Sequence, residues 1–141
     1  MIALARPILL VEDNLMDIDL TQRAFRERHL SNPLIIARDG QEALDYFQKW
    51  QEGEPLPLVI LLDINLPKVN GLDVLRALKN DPEFKKLPVV ILTSSGDDND
   101  INTAYELGAN SYIVKPVDFD KFVEIAHQID LYWLAINQPP G

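Results

Sequence analysis

The chain has 141 residues, enough for one domain with a buried core, and its 47% hydrophobic and 25% charged residues exclude a disordered chain. It has no cysteine, which excludes a disulfide framework or thiolate metal site and fits a reducing cytoplasm. The net charge of −9 argues against direct binding to nucleic acid or an anionic membrane surface.

The opening, MIALARPILLVED, is not expected to be a signal peptide, because Arg6, Pro7, Glu12 and Asp13 interrupt its apolar stretch. No apolar run approaches the ~20 residues of a membrane helix. The first strand is expected at Ile8–Val11 and ends on Glu12-Asp13. Asn14 then caps a helix with Met16, Leu20 and Ala24 on its inner stripe. A second strand at Leu34–Arg38 leads to a helix carrying Ala43, Phe47 and Trp50. The third, Leu58–Leu62, ends on Asp63, and a loop through Asn65, Pro67 and Gly71 enters a helix with Leu72, Leu75 and Leu78. Asp81-Pro82 opens a short helical turn ahead of the fourth strand, Val89–Thr93. Asp97 and Gly108 bracket the next helix, Tyr112–Val114 is the fifth strand, and Asp118 caps the last helix. The tail NQPPG is expected to fray.

The strands are runs of Ile, Leu and Val without alternation, as in a parallel sheet covered on both faces. Alternation of strand and helix five times predicts an α/β fold, a doubly wound (βα)5 with a five-stranded parallel sheet in a single domain over 1–141. In the last helix Phe119, Phe122, Val123, Ala126, Ile129 and Trp133 form one apolar stripe, while Ile125, Tyr132 and Ile136 fall on another face. That surplus face either wraps back over the core or forms a partner surface, most simply a homodimer.

Ligands of open α/β sheets bind beyond the carboxyl ends of the strands. Glu12, Asp13, Asp63, Thr93, Ser94 and Lys115 all fall at such ends and should share one cleft. Each has a structural explanation alone, as a cap, a turn or a strand exit. Their joint occurrence, each after the correct strand, is what points to a site. Three carboxylates need more positive charge than Lys115 supplies. Oxygen donors favour a hard ion such as Mg²⁺ that shares its shell with a phosphate, and one carboxylate could then act as nucleophile. Lys115 and the Thr93 hydroxyl would stabilise charge on the phosphoryl oxygens. His29 and His127 are expected on helices away from this edge, in solvent.

The motifs LLVEDN, LLDINLP…NG, VVILTSS and YIVKPV, in this order and spacing, resemble the receiver domains of two-component response regulators, from about Pro7 to Trp133. The resemblance implies a flavodoxin-like receiver fold with strand order 2-1-3-4-5. It implies that Asp63 accepts a phosphoryl group from a sensor histidine kinase. Glu12, Asp13, Asp63 and the backbone carbonyl of Asn65 would hold Mg²⁺ or Mn²⁺. Thr93 and Lys115 would contact the acyl phosphate, with a cis peptide bond at Lys115-Pro116. Tyr112 would be the aromatic switch that turns inward when Thr93 moves. Such a protein is no enzyme beyond its own phosphorylation and dephosphorylation.

The segment SSGDDNDINTAYELGANSYIVKPVDF followed by YW is similar to the small stand-alone regulators of bacterial phytochromes. That narrower likeness implies a phytochrome-type kinase, a cytoplasmic location and a homodimer through the face of the fourth helix, fifth strand and fifth helix. Three rivals remain. A flavodoxin-type carrier would need an FMN phosphate beside the repelling Glu12-Asp13. A haloacid-dehalogenase-type phosphatase would need an aspartate where Asn65 stands. A receiver never phosphorylated could serve as a constitutive binding module.

Overall fold

The computed structural model describes residues 6–30, 32–115 and 118–136, the side chains of 130 and 132–136 excepted. The strands are β1 (Ile8–Val11), β2 (Leu34–Ala37), β3 (Val59–Leu62), β4 (Val89–Thr93) and β5 (Ser111–Val114). They alternate with α1 (Leu15–Glu27), α2 (Gly40–Gln51), α3 (Gly71–Lys79), α4 (Asp98–Leu107) and α5 (Phe119–Ile136). The sheet is parallel throughout, in the order β2-β1-β3-β4-β5, as the resemblance implied.

Successive strand residues point to opposite faces, so each strand feeds two cores. Ile8, Leu10, Val59, Leu61 and Leu92 pack with Phe25 of α1 and Phe122 and Ala126 of α5. Leu9, Val11, Ile60, Leu62 and Ile91 pack with Trp50, Val74, Leu75 and Ala104 of α2, α3 and α4. Phe84, in a single 3-10 turn at Phe84–Lys86, closes the second core with its ring edge-on to Trp50. The Asp81 carboxylate caps that turn through the backbone N–H groups of Glu83 and Phe84. Gly108 ends α4 at a φ of 107°, a left-handed conformation that glycine adopts freely.

Strand and helix ends match the sequence reading within a residue, with local reasons where they differ. Arg38 falls outside β2 because the Glu42 carboxylate takes its backbone N–H. In α1 the buried face is Ile18, Thr21, Ala24 and Phe25, and Met16 is 75% exposed. A threonine can line that face because its Oγ donates to the Asp17 carbonyl at 2.7 Å. Of the expected stripe, Ala24 is buried and Leu20 packs partly buried against the same core, while Met16 is displaced from it by Ile18 and Thr21.

The surplus face of α5 also needs correction. Ile125 is buried with Phe122, Ala126 and Ile129, one continuous i, i+3, i+4, i+7 stripe, so it is a core residue. Phe119 is instead partly exposed at the start of the helix. The side chains of Tyr132, Trp133 and Ile136 lie outside the described residues, as do the Lys115-Pro116 bond and the tail. His29 follows α1 rather than lying in it, at a φ of 54°, and His127 meets Arg28 Nη2 through Nδ1 at 2.5 Å. Among the described residues no helix is long and apolar enough to cross a membrane.

Candidate functional site

The β1–β3 and β3–β4 pairings bring Val11, Leu62 and Ile91 into register, so the residues that follow them meet beyond one sheet edge. Glu12, Asp13 and Asp63 converge there, each with a carboxylate oxygen within 4.8 Å of the others'. Glu12 and Asp63 are buried and Asp13 is exposed, which puts the opening of the cluster on Asp13.

Asp63 is held at both oxygens. Oδ1 accepts the backbone N–H of Asn65 at 3.0 Å, and Oδ2 accepts Lys115 Nζ at 3.2 Å. Its own backbone N–H donates to Val11 at 3.0 Å. On the far side, the chain folds back so that the Gly71 N–H donates to Ile64 O at 2.9 Å. A Cβ on Gly71 would stand 2.3 Å from the Asp63 carbonyl oxygen, so only glycine fits.

Glu12 Oε2 accepts the backbone N–H groups of Asp13 at 3.2 Å and Asn14 at 3.4 Å. Its other oxygen is bonded to Lys115. Burial pushes the Glu12 carboxyl up from 4.5 to about 7, against the opposing pull of Lys115 and with Asp63 adding to the rise. Burial also penalises the Lys115 ammonium, but bonds to Asp17 and Glu12 and the charge of Asp63 outweigh this and raise its pKa. The acidic cluster thus outnumbers its single cation, and its donors are all oxygen. That set fits a hard divalent ion.

Thr93, fully buried at the end of β4, is joined to Lys115 through the backbone: Lys115 N–H donates to Thr93 O at 2.7 Å. The Asn65 amide donates to Thr93 Oγ1 and to Ser94 Oγ, both at 3.2 Å. Tyr112 packs against the α2–α4 core, and its hydroxyl donates to Ser95 O at 2.7 Å. The ring therefore already touches the segment that follows Thr93. Burial raises its phenol pKa. Ser95 Oγ in turn donates to Asp100 of α4 at 2.6 Å.

The structure places Glu12, Asp13, Asp63, Thr93 and Lys115 at this edge as the sequence reading expected, and adds Asp17, which that reading did not include. Its Oδ2 lies 2.8 Å from Lys115 Nζ. The only local signal was an acid in the first turn after the Asn14 cap, which reads as a helix-dipole residue.

The response regulator receiver domain family matches residues 8–127. The "Probable methanogenesis regulatory protein FilR2" of Methanothrix harundinacea is 41% identical, over 95% of this chain and 87% of its own length. The response regulator Rcp1 of Synechocystis sp. is 40% identical, over 95% of this chain and 92% of its own. Among solved structures, the phosphorylated cyanobacterial phytochrome response regulator RcpA superposes with a TM-score of 0.82 at 36% identity, covering 97% of this chain and 99% of that one. The Mn²⁺-bound form of Rcp1 gives a TM-score of 0.81 at 37% identity, covering 96% and 99%.

Proposed function

The chain belongs to the response regulator receiver domain family, and on that premise we propose that it is a single-domain response regulator phosphorylated on Asp63 by a sensor histidine kinase. The observation that carries this reading is Asp63 itself, a nearly buried carboxylate with one oxygen on Lys115 and the other on the Asn65 backbone, beside Glu12 and Asp13.

In the transfer, one Asp63 carboxylate oxygen forms a P–O bond while the P–N bond of the kinase phosphohistidine breaks and the imidazole leaves. Glu12, Asp13, Asp63 and the Asn65 carbonyl would hold Mg²⁺ or Mn²⁺, which when bound supplies positive charge against the phosphoryl oxygens. Lys115 neutralises part of the same charge, and Thr93, whose Oγ accepts from Asn65 in this structure, would shift toward the new group and away from Asn65 to donate its hydroxyl proton to it. A phosphorylated aspartate carries more charge and more acceptor oxygens, and can therefore favour a second arrangement of Thr93 and Tyr112. The chemistry ends with self-dephosphorylation; no other substrate is turned over. Asn65 supports that reading, since it offers an amide where a phosphatase needs an acid.

The kinase is read as a phytochrome-type sensor on the likeness to RcpA and Rcp1, with the encounter in the cytoplasm. Leu15 and Met16, exposed at the rim beside Asp13, offer it an apolar contact. Of the large hydrophobic residues exposed among the described ones, Tyr105, Val114, Phe119 and Leu131 all belong to α4, β5 and α5. That grouping supports a homodimer through this face.

Incubation with Mg²⁺ and acetyl phosphate should add one phosphoryl group, seen by intact mass and lost in Asp63→Asn. A protein that stays unlabelled while other receivers label, or an adduct that survives the substitution, would remove the assignment.

A further inference from the structure

Lys115 Nζ carries three N–H donors, and three carboxylates surround it. They are Glu12, Asp63 at 3.2 Å and Asp17 at 2.8 Å. Glu12 and Asp63 belong to the trio that would hold the cation and the phosphoryl group, and Asp17 does not. When the cation and the phosphoryl group arrive, two of the three acceptors around the ammonium are therefore redeployed. Asp17 is the one that stays.

Its own position is fixed by local structure. The Asp17 backbone N–H donates to Asn14 Oδ1 at 3.1 Å, and its carbonyl accepts the buried Thr21 hydroxyl at 2.7 Å. The plain alternative is an acid that merely complements the positive end of α1. Such a side chain would reach into solvent. This one is 18% exposed and turned onto Lys115 from across the site.

We propose that Asp17 is a positioning residue that holds the Lys115 ammonium beside Asp63 throughout phosphoryl transfer. The inference rests on Asp63 being the phosphoacceptor. Lys115 sits on a long, flexible stem, and after Glu12 turns to the cation Asp17 is the one described carboxylate that still holds its Nζ from outside the reacting group.

The test is a double-mutant cycle on the rate of Asp63 labelling by acetyl phosphate, with Mg²⁺ saturating for each variant. Asp17→Ala should slow labelling about tenfold, the scale on which an outer partner of a working group acts. Asp17→Asn, which keeps an acceptor oxygen, should fall between Asp17→Ala and the unchanged protein. In Lys115→Ala, adding Asp17→Ala should slow labelling no further. An unchanged or faster rate in both Asp17 variants, or an equal slowing with and without Lys115, would overturn the proposal. Failure of the unaltered protein to label at Asp63 would instead overturn the phosphoacceptor reading beneath it. A second measurement needs no metal: acylation of Lys115 by an amine-reactive ester, followed by peptide mass, should be several-fold faster in Asp17→Asn. Equal reactivity would count against the tether.

Discussion

The side-chain amide of Asn65 donates to the Thr93 hydroxyl across 3.2 Å, tying the residue two places after Asp63 to the end of the neighbouring strand. In the proposed mechanism the Thr93 hydroxyl changes partner on phosphorylation, so this bond belongs to the unphosphorylated state. Asn65→Ala removes this bond and the one to Ser94 Oγ and should cost about 1–2 kcal/mol of stability in urea unfolding, at roughly 1 kcal/mol net for each hydrogen bond. The cost should shrink when beryllofluoride occupies the site as a phosphoryl analogue. An equal loss in both states would show that the bond is not state-specific.

Gly71 permits the loop after Asp63 to close on the backbone of Asp63 itself. In Gly71→Ala the new methyl would meet backbone atoms, the Asp63 carbonyl oxygen at 2.3 Å and Ile64 Cα at 2.4 Å, so the main chain must move. Overpacking of this kind costs on the order of 1–3 kcal/mol. Urea unfolding should register that loss, and Asp63 labelling should slow alongside it. A variant with unchanged stability would mean that the loop can reopen freely.

The Glu12 carboxyl has a folded pKa raised from 4.5 to about 7, chiefly by burial. The folded state thus keeps a proton that the unfolded state gives up. Its contribution to stability is complete below pH 4.5 and is lost as the pH rises to about 7. In metal-free protein, Glu12→Gln should flatten the stability–pH curve between those limits, followed by thermal unfolding in chelator. Mg²⁺ added above pH 7 should raise the unaltered protein's unfolding temperature and do much less for Glu12→Gln. Parallel pH curves for the two proteins would contradict the assigned burial cost.

Self-association is predicted to depend on the exposed apolar residues of α4, β5 and α5. Leu131→Glu and Tyr105→Glu should each lower the dimer fraction in sedimentation equilibrium without lowering stability, because both side chains are about half exposed in the single chain. Ile125→Glu is not an equivalent probe. Ile125 is a core residue, and a buried charge there should unfold the protein.

The strands and the contents of the acidic cleft were legible because each depends on a short local signal, whereas the strand order came from the family resemblance. An apolar run marks a buried strand, and a polar residue at its end marks the sheet edge. What resisted reading needed knowledge across the fold. Thr21 looks polar in sequence, yet its bond to Asp17 O lets it face the core, and that displaced the inner stripe of α1 away from Met16. Ile125 looked surplus beside Phe122 and Ala126 only while the width of the α5 docking face was unknown. Asp17 is a first-turn acid by every local sign, and its distance to Lys115 appears only when α1 is set against β5.

The hydrogen bond from Lys115 N–H to Thr93 O makes the cation and the hydroxyl neighbouring rungs of one ladder. Neither backbone can slide toward Asp63 without breaking the β4–β5 edge, and Asp63 is itself fixed to Val11 and backed by Gly71. The backbone is thus tied at each of these points, while the side chains keep their bond rotations. Thr93, branched at Cβ, has few staggered positions to choose from. Its response to a new group on Asp63 should be a discrete jump rather than a graded drift, and a jump can be read at the surface as one of two values.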